Sequence, residues 1–233
     1  MRRRYVIVTL MVLAWPHATS SRSGPEPQGA QRASQIVKDP RDGKSYRTVQ
    51  IGTAVWMQEN LNYETENSWC YDNRRQNCSK YGRLYTYAAA QTACPPGWHL
   101  ADETEWDEML GRFGITLSSG DRFGSQRGSH HSIDELLVGG SSGFEMLLGG
   151  TADMNSIAAD IIPPTRPGYR LLGDAAYYWS RRRSLGRGTD GYVFEETSRS
   201  SLPPIYYTSF SDGDGRCPYA FSVRCVRDQT STR

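Results

Sequence analysis

A dominant charge of either sign is missing from this 233-residue chain: 27 Lys and Arg stand against 25 Asp and Glu. Three of those arginines, Arg2, Arg3 and Arg4, sit at the extreme N-terminus, and the rest of the chain holds 24 basic residues against 25 acidic ones. A near-neutral body has no electrostatic reason to seek nucleic acid or an anionic membrane. Apolar runs are also short. Mean hydropathy is −0.63, and the one long run, Tyr5 to Trp15, is shorter than the roughly 20 residues a helical membrane span needs. Cysteines number five and never occur as Cys-x-x-Cys, which removes the usual spacing of a zinc finger or ribbon. The expectation is therefore no structural metal, no stable membrane span and no nucleic-acid partner. The length suits one sizeable domain with a tail.

The N-terminus has the three parts of a secretory signal. Met1 to Arg4 is basic, Tyr5 to Trp15 is apolar, and Ala18-Thr19-Ser20 supplies small residues for cleavage after Ser20. Residues 1–20 are read as a signal peptide, either removed or kept as an anchor. Residues 21–36, rich in Ser, Gly, Pro and Gln, are a flexible linker. A folded domain is expected over 37–229, with a tail at 230–233. Export implies an extracellular or periplasmic protein, free or associated with a cell surface, in a compartment where disulfides form.

Within the domain, Asp39-Pro-Arg-Asp-Gly43 is a turn. Lys44 to Ile51 alternates, Gly52-Thr53 reverses the chain and Ala54 to Met57 returns it, which reads as a hairpin. Cys70 and Cys78 bracket a polar loop and are expected to bond to each other. Tyr85 to Cys94 is helical by composition and Pro95-Pro-Gly97 ends it. Trp98-His-Leu100 is a short strand whose alternation turns His99 away from its neighbours. Asp102 caps a second helix and Glu105 completes a capping box, with Trp106, Met109 and Leu110 inward. Gly114 to about His131 reads as a mobile Ser/Gly loop. Strands are expected at Phe144–Leu148, Tyr177–Ser180, Tyr192–Glu195, Ile205–Phe210 and Ala220–Arg227. The order gives an α+β fold, two helices on short, mostly antiparallel strands, in which first and last strands could pair. The expected core is Tyr46, Val49, Ile51, Val55, Trp56, Leu61, Leu84, Trp98, Leu100, Trp106, Phe144, Trp179, Phe221 and Val223.

Several blocks then carry a resemblance. They are Ile51-Gly-Thr-Ala-Val-Trp-Met-Gln-Glu-Asn-Leu-Asn62, Tyr81-Gly-Arg-Leu-Tyr85, Cys94-Pro-Pro-Gly-Trp-His-Leu100, Glu103-Thr-Glu-Trp106, Phe144-Glu-Met-Leu-Leu-Gly-Gly150, Tyr178-Trp-Ser180 and Phe221-Ser-Val-Arg-Cys-Val-Arg-Asp228. In this order they resemble the Fibrobacter succinogenes major paralogous domain family. The chain departs from it after Ser180, where Arg181-Arg-Arg183 replaces small polar residues. The family is similar to the C-type lectin-like fold shared with formylglycine-generating enzymes. The resemblance implies a bond between Cys94, on the helix, and Cys225, on the final strand. Cys217 is then unpaired or intermolecular, or it replaces Cys225 as the partner of Cys94. No assigned activity follows from the resemblance.

Candidate sites are few. Tyr192, Phe194, Tyr206 and Tyr207 lie where this fold places variable loops, and their rings could stack on sugars. Arg181 and Arg183, with Arg187, could hold an anion. Asp212 and Asp214 form a fragment of a calcium loop without the bidentate Glu an EF-hand needs, and the Glu-Pro-Asn, Gln-Pro-Asp and Trp-Asn-Asp signatures of sugar-binding C-type lectins are missing. His130-His131 reads as solvated loop. No nucleophile-elbow Gly-x-Ser-x-Gly is assigned: Gly139-Gly-Ser-Ser-Gly143 reads as only glycine-rich, outside a strand-to-helix phosphate loop. Glu195 and Glu196 would point to opposite faces of a strand. No catalytic residues are assigned. The functional expectation is a secreted or cell-surface, non-catalytic binding or adhesion module for polysaccharide or a surface protein, with no cofactor beyond a weak calcium candidate. The alternatives are a structural component of an extracellular assembly and a formylglycine-generating type of copper oxidase, for which Cys217 and Cys225 would be the cysteine pair.

Overall fold

In a computed structural model of the chain, residues 35–115, 117–119, 126–128, 133–154, 168–181, 190–195, 205–209 and 217–229 are described. The first strand, β1 (Gln35–Lys38), starts two residues before the expected edge of the domain. It pairs with β2 (Ser45–Ile51), which turns at Gly52-Thr53 into β3 (Ala54–Met57). Here the hairpin follows from the alternation Tyr46, Thr48 and Val49-Gln-Ile51, whose apolar members are buried.

After β4 (Ser68–Trp69) the chain makes a single 3-10 turn at Tyr71–Asn73 and enters α1 (Arg75–Tyr81). The sequence reading placed only a polar loop here. No side chain caps this helix at Arg74, and a seven-residue helix is marginal alone. It is held from outside, by the Cys70–Cys78 disulfide and by Asn77, whose Nδ2 donates to the Tyr71 carbonyl at 2.8 Å. A strand, β5 (Leu84–Thr86), takes the first residues of the expected Tyr85–Cys94 helix. The helix proper, α2 (Tyr87–Ala93), begins after Thr86 because that hydroxyl accepts from the Ala89 amide and caps it. Then come β6 (Trp98–Leu100) and α3 (Glu103–Arg112), with the Asp102/Glu105 capping box in place.

The Ser/Gly stretch contains two short strands, β7 (Leu117–Ser119) and β8 (Gln126–Gly128), which pair with each other. Phe144 to Leu148 is not a strand: only Met146 makes an isolated bridge, to Leu137. The ladder starts later, at β9 (Gly149–Asp153). Its cause is Glu145, at φ 54, which turns the Phe144 and Glu145 carbonyls inward onto Arg224. The remaining strands are β10 (Gly168–Leu172), β11 (Ala175–Trp179), β12 (Asp190–Glu195), β13 (Ile205–Ser209), β14 (Tyr219–Phe221) and β15 (Cys225–Arg227).

The described strands form two sheets. One has the order β1-β2-β3-β15-β6; the other runs β4-β5-β14-β9-β11-β12-β13-β8-β7, with β10 beside β9. The expected single strand Ala220–Arg227 is thus two strands in two different sheets, joined through Ser222-Val-Arg224. The closing strand β15 pairs with β3, the return arm of the first hairpin, rather than with β1. The fold is α+β with mostly antiparallel pairing and two disulfides, Cys70–Cys78 and Cys94–Cys225.

Every expected core residue is buried except Val55, which is only half-buried. The hub is Trp106 of α3. Its ring lies 5.0 Å from Trp56, 5.1 Å from Tyr192, 5.3 Å from Tyr178 and 5.7 Å from Phe144, between centroids. Aromatic pairs at such separations add to the area they bury, so α3 is fixed against both sheets by one side chain.

Candidate functional site

The outer face of α3 gathers the polar chemistry of the described residues. At its N-terminus, Asp102 accepts from the Glu105 amide at 3.1 Å, and Glu105 Oε2 accepts from the Asp102 amide at 2.8 Å. This satisfies two of the orphan amides every helix start exposes. Glu105 has a second task. Its Oε1 lies 2.8 Å from His99 Nε2, while His99 Nδ1 lies 2.6 Å from Asp228 Oδ1, just past β15. His99 is there because β6 alternates: Trp98 and Leu100 are buried and His99 is turned outward. One imidazole so ties α3, β6 and the end of β15 together. The two carboxylates sit on opposite edges of the ring and cannot converge on one cation. Arg181 stands beside this group, with its amide on the Ala101 carbonyl and Nη2 3.6 Å from Asp102 Oδ2.

The Glu105 hydrogen bond raises the His99 pKa above 6.5; burial and the positive charge of Arg181 oppose this, and Asp228 adds to it. Only the protonated ring has N–H groups for both carboxylates. With its folded pKa raised, His99 stabilises the fold fully below about pH 6.5, and that contribution is lost as pH rises through the raised value. Urea midpoints taken at about pH 6 and about pH 8.5 should therefore fall more for the native chain than for His99→Gln; equal falls would contradict the tie.

Further along α3, Glu105, Glu108 and Arg112 fall at i, i+3 and i+7, one face of the helix. Opposite lies the β2–β3 turn. Between them is a cleft of about 330 Å³ lined by Ile51, Gly52, Thr53, Ala54, Glu105, Glu108, Met109 and Arg112. Gly52 has φ +62, and a Cβ on it would lie 2.8 Å from Arg112 Nε. The turn needs glycine for its backbone and for room, because the guanidinium rests against it.

The other sequence candidates are placed differently. Tyr192 and Phe194 were expected at a binding surface; both are 0% exposed and pack on Trp106. Their strand is covered on both faces, so these rings belong to the core. Tyr192 does reach the α3 start, donating its hydroxyl to Asp107 Oδ1 at 2.8 Å. Tyr206 and Tyr207 lie on β13 in register with Arg127 and Gln126, and their side chains are outside the described residues. So are Arg183, Arg187, His130, His131, Glu196, Asp212 and Asp214. Gly139 to Gly143 has the Gly-x-Ser-x-Gly spacing, with Ser141 at its centre. It forms a turn rather than a strand-to-helix elbow, and the Ser141 hydroxyl donates to Glu135 Oε2 at 3.2 Å. Cys217 is half-buried and lies outside both disulfides. Since Cys225 is bonded to Cys94, it does not pair with Cys217 around copper.

Two parts of the site escaped the sequence reading. The cleft needs a wall from residues about 50 positions away. The His99 tie needs Asp228, which follows the last strand.

A family model described as the Fibrobacter succinogenes major domain matches residues 49–227. The chain belongs to this family. No curated protein and no solved structure matches the chain. The Fibrobacter succinogenes major domain accordingly runs from the end of β2 through β15, with the α3 face and the cleft inside it and Asp228 one residue beyond. No described helix is long and apolar enough to cross a membrane.

Proposed function

We propose that this domain is an exported, non-catalytic binding module of C-type lectin-like architecture, which engages carbohydrate or a surface protein outside the cytoplasm. The observation that carries this reading is the α3 cleft: hydrogen-bonding side chains line a concavity between two rigid elements, as ligand sites do. Two disulfides suit an oxidising compartment, and the signal-like residues 1–20 suit export. Fold-level likeness adds only a prior, since folds host many functions.

A glycan array probed with the oxidised protein tests the carbohydrate arm. Retention of at least one glycan, lost after the disulfides are reduced, is expected. A blank array, together with no retention of the protein on intact cells of its source, would end the proposal. The second reading is a structural part of an extracellular assembly, favoured by the half-buried Cys217 thiol outside both bridges. It requires a disulfide-linked species on a non-reducing gel that Cys217→Ser removes.

A further inference from the structure

We infer that the cleft between α3 and the β2–β3 turn holds a single uncharged sugar ring, with Glu108 and Arg112 as its polar contacts. This rests on the reading of the domain as a carbohydrate-binding module and names the site and the ligand class.

The volume comes first. At about 330 Å³ the cleft is at the low end of the roughly 300–1,000 Å³ of small-molecule sites. That suits one ring and is small for a helix or an extended peptide. The walls are fixed. One is a helix with a complete capping box, anchored by Trp106; the other is a turn closed by the β2–β3 ladder. Ala54, half-buried, over the buried Ile51 and Met109 gives a small apolar floor for the C–H face of a sugar.

Polar groups then select the ligand. Glu105 is occupied by His99 and by the cap. Glu108 and Arg112 have no hydrogen-bond or ion-pair partner among the described residues. They stand one helical turn apart on the same face. An ionised Glu only accepts and an Arg only donates. The guanidinium lies against Gly52, which puts its donors at the cleft. An anionic ligand would meet the Glu105 and Glu108 carboxylates, and a cationic one would meet Arg112. Neighbouring hydroxyls on a neutral ring answer both groups at once, since each hydroxyl donates and accepts.

Amide NMR titration of the exported protein tests this with glucose, galactose, mannose and N-acetylglucosamine, beside glucuronate and glycine as charged and zwitterionic probes. At least one neutral sugar should shift the amides of Gly52, Thr53 and Glu108, and glucuronate and glycine should not. Glu108→Gln and Arg112→Ala, both at exposed positions, should each weaken that binding about tenfold, the loss of one charge-assisted hydrogen bond. Neutral sugars that leave these amides unmoved would overturn the inference, as would a stronger response to glycine or glucuronate. Sugar binding that both variants leave intact would place the site elsewhere, overturning this inference while the binding-module reading stands. A blank glycan array would overturn this inference, and with no retention on intact cells it would remove the binding-module reading as well.

Discussion

Replacing Arg224 with methionine should destabilise the domain by about 3–5 kcal/mol, the net of several buried acceptors losing their donor at about 1–3 kcal/mol each. Arg224 is fully buried. Its Nε donates to Asn60 Oδ1 at 2.8 Å, its Nη1 to the Met57 and Phe144 carbonyls at 2.8 and 2.7 Å, and its Nη2 to the Glu145 carbonyl at 2.7 Å. The guanidinium also lies 4.4 Å from the Phe144 ring centroid. Two effects compete in the variant. Methionine relieves the cost of burying a cation, which pushes the Arg224 pKa down. It also takes the guanidinium from the Met57, Phe144 and Glu145 carbonyls, each loss worth about 1–3 kcal/mol when buried, and leaves Asn60 Oδ1 with only the Tyr178 hydroxyl. The second effect wins because the acceptors cannot turn outward: Glu145 is already held at φ 54, and Asn60 is locked by Tyr81, Ser222 and Tyr178. Against a total stability of about 5–15 kcal/mol, the variant should lose a large fraction of its stability, read as a lower urea midpoint. A loss under about 1 kcal/mol would show that the polar knot at the joint of β14 and β15 is dispensable.

Removing the Cys94–Cys225 bridge by a double Cys→Ala change should cost nearly as much, about 3–5 kcal/mol. The bridge joins residues 131 positions apart, whereas Cys70–Cys78 spans 8. Chain entropy assigns about 5 kcal/mol to the long loop and about 2.5 to the short one. The order of the effects is therefore diagnostic: losing Cys94–Cys225 should lower the melting temperature by about 10 °C, and losing Cys70–Cys78 by about half that. The opposite order would mean that native packing, not loop closure, dominates at these sites.

How far the fold was legible depends on which signals are local. The capping box at Asp102 and Glu105 and the hairpin around Gly52 are written in adjacent residues, and both are where the sequence puts them. Helix α1 has no local signal, because a disulfide rather than a cap holds it. The run Tyr192-Val-Phe194 was read as offering rings to a ligand. An uninterrupted apolar run also fits a strand covered on both sides, and that is what β12 is. Arg224 was missed for a related reason. In Phe221-Ser-Val-Arg-Cys225 the alternation separates two faces, but it does not say that Arg224 meets buried carbonyls of Met57, Phe144 and Glu145 instead of water. Of the site, the helical face carrying Glu105, Glu108 and Arg112 was readable from spacing. The cleft was not, because its other wall is set by tertiary packing. Outward His99 was readable from alternation; its two carboxylate partners were not, since Asp228 arrives from the far end of the chain.

A peptide map of the unreduced protein, with free thiols alkylated first, is the direct test of the disulfide frame. A Cys94 peptide linked to the Cys225 peptide, a Cys70 peptide linked to the Cys78 peptide, and alkylated Cys217 are expected. A Cys94 peptide joined to Cys217, or alkylated itself, would contradict the clasp between α2 and the closing strand, and with it the frame on which the α3 site is built.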